Sequence, residues 1–190
     1  MTREEIIGIL QEAQALLEGH FLLTSGKHSD RYIQCAQVLQ YPEHTAKLCQ
    51  AMAAPFQNRG ITTVVGPAMG GILVAYEVAR QLGAKAIFTE REQGKMALRR
   101  NFSVKPGEKV LVVEDVVTTG GSVKEVIELL KELGAEVVGA ACLVQRSLEP
   151  MEVGGVPLTP LLSLAVAAYE PEQCPLCQEG TPAIKPGSRN

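Results

Sequence analysis

The sequence predicts an α/β fold, a parallel β-sheet flanked by helices and preceded by a small N-terminal accessory unit. After Gly60, short aliphatic runs such as Val110-Leu-Val-Val113 alternate with helical stretches. Strands that are apolar on both faces belong to sheets covered on both sides. Hydrophobic residues make up 46% of the 190 residues, aromatics only 4%, and tryptophan is absent. The core must therefore be packed with Val, Ile, Leu and Ala. Neither an internal repeat nor a second core-forming segment is visible. The expected organisation is one domain over 1–190: helix and accessory unit at 1–40, α/β core at 42–150, tail at 171–190.

Residues 2–18 read as an amphipathic helix. Thr2 and Glu5 have capping-box spacing, Ile6, Leu10, Ala13 and Leu17 recur at helical intervals, and Gly19 is a stop. Residues 20–40 hold two extended runs, Phe21-Leu-Leu and Arg31-Tyr-Ile, around the polar turn Ser25-Gly-Lys-His-Ser29. Pro42 opens a helix to about Asn58, with Ala46, Cys49, Met52, Ala53 and Phe56 on one face. Strands at Thr63-Val-Val65 and Ala86-Ile-Phe88 bracket a helix from Ile72 to Leu82, apolar on most sides and expected to be largely buried. Residues 90–108 are charged and punctuated by Gly94, Pro106 and Gly107, and read as largely a mobile loop. The strand at 110–113 precedes a helix from Val123 to Leu133, which buries Val123, Val126, Ile127, Leu130 and Leu133, and a strand from Val137 to Val144. The tail from Pro171 is expected to wrap loosely over the surface.

A net charge of −3 and a pI of about 5.7 disfavour nucleic acid as a partner. No stretch approaches the roughly 20 apolar residues of a membrane span. Met1-Thr-Arg-Glu-Glu5 lacks the basic start and apolar run of a signal peptide. Of the five cysteines, Cys35, Cys49 and Cys142 sit in apolar segments, which points to reduced thiols and a cytoplasmic protein. Cys174-Pro-Leu-Cys177 has zinc-ligand or redox spacing, but one pair supplies half of a tetrahedral site. Ordinary thiols, a metal site and redox chemistry all stay open for it. His20, His28 and His44 show no ligand spacing.

Parallel sheets place ligands at the carboxyl ends of their strands. There the 110–113 strand runs into Glu114-Asp115-Val116-Val117-Thr118-Thr119-Gly120-Gly121-Ser122, which opens the next helix. Consecutive amides at a helix N-terminus form a phosphate cradle, with glycines allowing close approach and hydroxyls adding donors. Two carboxylates ahead of an anion site suit a ligand that carries sugar hydroxyls as well as a phosphate. The plainer alternative is a capped helix after an acidic turn. The common nucleotide fingerprints G-x-G-x-x-G and G-x-x-x-x-G-K are absent.

Glu114 to Ser122 resembles the binding signature of the type I phosphoribosyltransferases, which use 5-phosphoribosyl 1-diphosphate (PRPP). Gly19-His-Phe-Leu-Leu-Thr-Ser-Gly-Lys-His-Ser29, with Tyr32, is similar to the N-terminal hood of the orotate phosphoribosyltransferases. Gly66-Pro-Ala-Met-Gly-Gly-Ile72 resembles their pyrophosphate loop, and Thr89-Glu-Arg-Glu-Gln-Gly-Lys95 the start of their mobile catalytic loop. Leu143-Val-Gln-Arg-Ser147 resembles the strand end that presents an arginine to orotate. These segments run in order over about residues 1–150.

The resemblance implies transfer of the 5-phosphoribosyl group from PRPP to orotate, giving orotidine 5′-monophosphate and pyrophosphate in pyrimidine biosynthesis. It implies Lys95 and Arg91 as catalytic cations. PRPP would be held by Glu114, Asp115, Val116, Val117, Thr118, Thr119, Gly120, Gly121, Ser122, Arg91, Lys95 and Lys27, and orotate by Thr118, Arg146 and Lys27. It also implies Mg²⁺ held mainly by PRPP, with no protein metal site, and a homodimer with shared active sites. The chain departs from the family in Gln93 and Met96-Ala97, where further Lys and His are common, and in Ala68-Met69, where a cation is common. With no histidine beyond His44, a His-dependent proton transfer in the loop is unavailable. Arg99 or Arg100 compensates, or the two form a solvated basic turn. The alternatives are transfer to another nucleobase, and a regulator on the same fold, which the acidic pI opposes.

Overall fold

A computed structural model of the chain describes residues 1–23 and 25–186. Helix α1 (Arg3–Glu12) begins with the expected capping box: the Thr2 hydroxyl accepts from the Glu5 amide at 3.2 Å, and the Glu5 carboxylate accepts from the Thr2 amide at 2.6 Å. The helix ends six residues before the predicted limit. Gln14 takes a φ of 54°, the chain reverses, and Leu16 enters strand β1 (Leu16–Leu22) opposite Ile33 of the antiparallel strand β2 (His28–Ile33). Long-range pairing thus overrides the helical spacing of Leu17. Gly19 lies in a bulge rather than at a helix end. Pairing slips by one residue between Glu18 and Phe21, so the neighbours His20 and Phe21 are both buried. The hairpin is a separate two-stranded sheet, the expected accessory unit.

A short α2 (Ala36–Leu39) leads into α3 (Pro42–Ala53), which buries Thr45, Leu48, Cys49, Met52 and Ala53. Pro55 lies in a single 3₁₀ turn at Ala54–Phe56 and lacks an amide, which cuts the predicted helix short. The core continues as β3 (Thr63–Pro67), α4 (Gly70–Leu82), β4 (Lys85–Glu92), β5 (Lys95–Leu98), β6 (Lys109–Val117), α5 (Gly121–Glu132), β7 (Glu136–Gln145), β8 (Glu152–Val153) and β9 (Val156–Ser163). The sheet order is β5-β4-β3-β6-β7-β9-β8. Its five inner strands are parallel, and β5 and β8 are antiparallel edges. Along β6 the side chains alternate. Leu111 and Val113 enter the core shared with α1, α3 and α4, while Val110 and Val112 enter the core beneath α5. The parallel, helix-covered sheet matches the sequence reading.

Further regions differ from expectation. Residues 90–108 are not simply a loop. Strand β4 runs to Glu92 and turns through Gln93 (φ 52°) and Gly94 (φ 84°) into β5, as a two-residue hairpin requires. Met96 and Leu98 pack into the α5 core, and Arg99 and Arg100 pair with Glu92 and Glu90 at 3.5 and 3.0 Å. The two arginines therefore brace the hairpin. Helix α4 is only half covered, with Leu73 50% and Tyr76 67% exposed beyond an 83% exposed Met69. Leu133 lies past the end of α5 and is also exposed. The sequence did not suggest β9, which contains Pro157 and Pro160. The short β8 covers only its first two residues, and prolines are tolerated where no partner needs their amide.

The tail, with α6 (Pro175–Gln178), is tied down rather than loose. Tyr169 exchanges backbone bonds with His28 at 2.8 Å, and the Ile184 amide and carbonyl bond His20 and Leu22, also at 2.8 Å. The last four residues of the predicted tail, 187–190, lie outside the described residues, as does Thr24 of the hood motif.

Candidate active site

The loop predicted to hold phosphate joins β6 to α5. Gly120 takes a φ of 78°, and a Cβ there would sit 3.0 Å from Val153, so glycine suits both the turn and the space. The first intrahelical bond runs from the Lys124 amide to the Gly120 carbonyl, at 2.8 Å. The amides before it have no partner within the helix. Glu114, Val116 to Val123, Arg91 and Glu125 line a cavity of about 350 Å³ at this point. Thr118 and Thr119 are exposed there. Val117 is 2% exposed and can offer a ligand only its main chain.

Beside the cavity lie the two acids. The Glu114 carboxylate is buried and accepts from the Asp115 amide at 3.1 Å, while Asp115 accepts from the Val116 amide at 2.8 Å. Neither has an ion-pair partner among the described residues. Burial, and then the neighbouring Asp115 charge, push the Glu114 carboxyl up to about 9.

The Gly66–Ile72 loop meets the same acids. A Cβ on Gly70 would overlap the Asp115 carboxylate, and one on Gly71 would approach Glu114 Oε1 to 3.2 Å. These glycines let the two loops close against each other. Further along the sheet edge, the Arg146 amide donates to the Val117 carbonyl at 2.8 Å, which sets this residue beside the phosphate loop. Its Nε is buried and without a partner among the described residues, which leaves that donor open to a ligand.

The cationic candidates divide. Arg91 reaches the cavity from β4, but Glu125 of α5 holds it in a two-point pair at 2.9 Å and the Gly94 carbonyl accepts from it at 2.7 Å. Nothing in the sequence marked Glu125, a charge among others on a polar helix face. Lys95 follows the hairpin turn, is exposed and does not line the cavity. Lys27 sits at the hood tip, 2.8 Å from Glu170, and does not line it either. A larger groove of about 740 Å³ between α1 and α3 has neither a glycine loop nor a paired-acid strand end. His20 and His28, which show no ligand spacing in sequence, converge in the structure with Cys174 and Cys177.

A parallel sheet whose strand ends carry an acid pair, a glycine loop opening a helix and a second glycine loop packed against those acids has the features of a phosphoribosyl transfer enzyme. Consistent with this, residues 36–157 match the phosphoribosyl transferase domain family. The chain is 64% identical over its full length to an orotate phosphoribosyltransferase of Desulforamulus reducens, covering 98% of that protein. The crystal structure of orotate phosphoribosyltransferase from Aeropyrum pernix superposes with a TM-score of 0.66 at 27% identity, over 84% of this chain and 93% of that one. Adenine phosphoribosyltransferase from Rhodothermus marinus also superposes, at 0.64 and 24% identity over 83% of this chain and 99% of that one, so the fold by itself does not select the base. The chain belongs to the orotate phosphoribosyltransferase family.

Proposed function

We propose that this chain transfers the 5-phosphoribosyl group of PRPP to orotate, in pyrimidine biosynthesis, with the residues above in the following roles. The observation that carries the reading is the closure of the Gly66–Gly71 loop on Asp115 and Glu114 at the mouth of the Thr118–Ser122 loop. One glycine loop then takes the 5-phosphate, the other the pyrophosphate, and the acids between them take the ribose hydroxyls. Orotate carries a carboxylate, and the Arg146 guanidinium, its Nε unpartnered, is suited to a planar acceptor, with Thr118 beside it and Lys27 from the hood.

In the reaction the bond from the ribose carbon to pyrophosphate breaks as a bond to a ring nitrogen of orotate forms. Negative charge grows on the departing pyrophosphate. Lys95 and Arg91 are the catalytic cations that neutralise it, Arg91 by exchanging Glu125 for a diphosphate oxygen. Closure of the β4–β5 hairpin over the diphosphate excludes water.

The ion that fits this reading is a Mg²⁺ held mainly by PRPP itself, while Glu114 and Asp115, which have no ion-pair partner among the described residues, take the ribose hydroxyls. When bound, the ion supplies charge neutralisation at the diphosphate. We further propose a cytoplasmic homodimer in which the hairpin of one subunit serves its neighbour's site. The free cysteines support a reducing compartment. The exposed stripe of Met69, Leu73 and Tyr76 supports a second copy packed on α4.

Release of pyrophosphate from PRPP should require both orotate and Mg²⁺. Turnover of adenine or uracil but not orotate would overturn the substrate assignment. Full activity in a species of monomer size would overturn the shared site.

A further inference from the structure

We propose that His20, His28, Cys174 and Cys177 bind one Zn²⁺ that staples the C-terminal tail to the N-terminal hood. The donors come from three separate segments: the β1 bulge, the first residue of β2, and the turn into α6. His20 Nε2 lies 2.8 Å from His28 Nδ1, 3.5 Å from Cys174 Sγ and 3.8 Å from Cys177 Sγ, and Cys177 Sγ lies 3.2 Å from His28 Nδ1. All four donor atoms fall within 4.8 Å of one another. Zn–S bonds of about 2.3 Å and Zn–N bonds of about 2.0–2.1 Å put the corners of a Cys₂His₂ tetrahedron about 3.3–3.8 Å apart. The cluster already has nearly that size and needs only small adjustments.

The surroundings prepare these atoms to bind a metal. The Thr181 carbonyl lies 2.7 Å from His20 Nδ1 and takes its N–H, which leaves the Nε2 lone pair facing the cluster. The β1 bulge is what turns His20 inward beside Phe21. Two thiolates and two neutral imidazoles suit zinc, whereas Mg²⁺ prefers all-oxygen ligands. On binding, both thiols lose their protons to solvent, both imidazole lone pairs are donated, and the two thiolate charges cancel that of the ion.

The tail also needs such an anchor. Between 171 and 186, Cys174 is the only residue fully buried, so apolar packing contributes little to holding the segment. The staple ends at His28, directly after Lys27, whose ion-pair partner Glu170 enters the tail.

The test uses the full chain without a polyhistidine tag, purified under reductant and reconstituted with one equivalent of Zn²⁺. Elemental analysis should find about one zinc per chain after desalting. Co²⁺ in its place should give the visible absorption of a tetrahedral thiolate site. A strong chelator should make Cys174 and Cys177 newly reactive toward a thiol reagent, leaving the accessibility of Cys35, Cys49 and Cys142 unchanged. Cys177→Ser and His28→Ala should each abolish stoichiometric metal, while Cys49→Ser retains it. Metal-free protein after reconstitution would overturn the proposal. So would zinc retained by a Cys174→Ser/Cys177→Ser double variant, thiol reactivity indifferent to the chelator, or a Cys174–Cys177 disulfide in protein kept under reductant. The chelator experiment needs no variant, so a variant that fails to fold leaves the test intact.

Discussion

Glu108 immediately precedes β6 and Glu114 lies in its C-terminal half, and their surroundings are built in opposite ways. At the N-terminal end, burial would raise the Glu108 carboxyl. The Thr63 hydroxyl, the Lys105 amide at 2.8 Å and Lys85 at 2.9 Å outweigh that and hold it down at about 2. In the C-terminal half, burial and the adjacent Asp115 push Glu114 up to about 9, with no ion-pair partner among the described residues to oppose them. One carboxylate therefore stabilises the sheet as it stands. The other is a group whose discomfort a ligand can relieve. The strand has a structural end and a binding end, and stability and function can be altered separately.

The largest expected effect lies at the binding end. Lys95→Ala removes an exposed side chain with no hydrogen-bond or ion-pair partner among the described residues, yet turnover should fall about a hundredfold or more while PRPP affinity stays within about tenfold. Single-turnover kinetics with a PRPP titration measures both, and unchanged turnover would end the role assigned to Lys95.

Next comes the structural end. Glu108→Ala should lower unfolding free energy by about 2 kcal/mol, roughly thirtyfold in the folding constant, and leave PRPP affinity alone. Denaturant titration reads this directly. The folded pKa of Glu108 lies below its ordinary value of 4.5, so its contribution is present above about pH 4.5 and is lost as pH falls toward 2.

A smaller effect sharpens the contrast. Glu114→Gln should weaken PRPP binding by about tenfold, measured by calorimetry, without destabilising the free protein. The smallest effect is a slope. Because the folded pKa of Glu114 lies above its ordinary 4.5, its favourable contribution is full below that pH and declines as pH rises toward 9. Thermal unfolding of the Gln variant should be flatter over that range. If Glu114→Gln instead destabilises the protein as much as Glu108→Ala, the two ends are not distinct.

Local pattern explains what could be read from the chain. Strand β6, its acid pair and the loop into α5 lie in one contiguous run, so apolar continuity and glycine chemistry were enough to identify them. Arg146 came from resemblance alone, because a strand-exit arginine looks like any solvated one. The turn at Gln93-Gly94 was obscured by the charges around it, and β9 by its prolines. The boundary of α1 was lost because Leu16 and Leu17 satisfy a helical spacing until Ile33 claims them as a strand. The His–Cys cluster was invisible for a different reason. Its members stand up to 157 positions apart, and only the fold brings the tail across β1 and β2.

The pairing of β1 and β2 with residues 169–184 bears on how the molecule is made. A ribosome releases the hood strands well before their tail partners. A nascent chain with every strand of the main sheet already outside the exit tunnel would still have an unsecured hood. The hood is therefore secured only after every strand of the main sheet has emerged, and a message truncated after β9 would yield a sheet without these tail contacts to its hood.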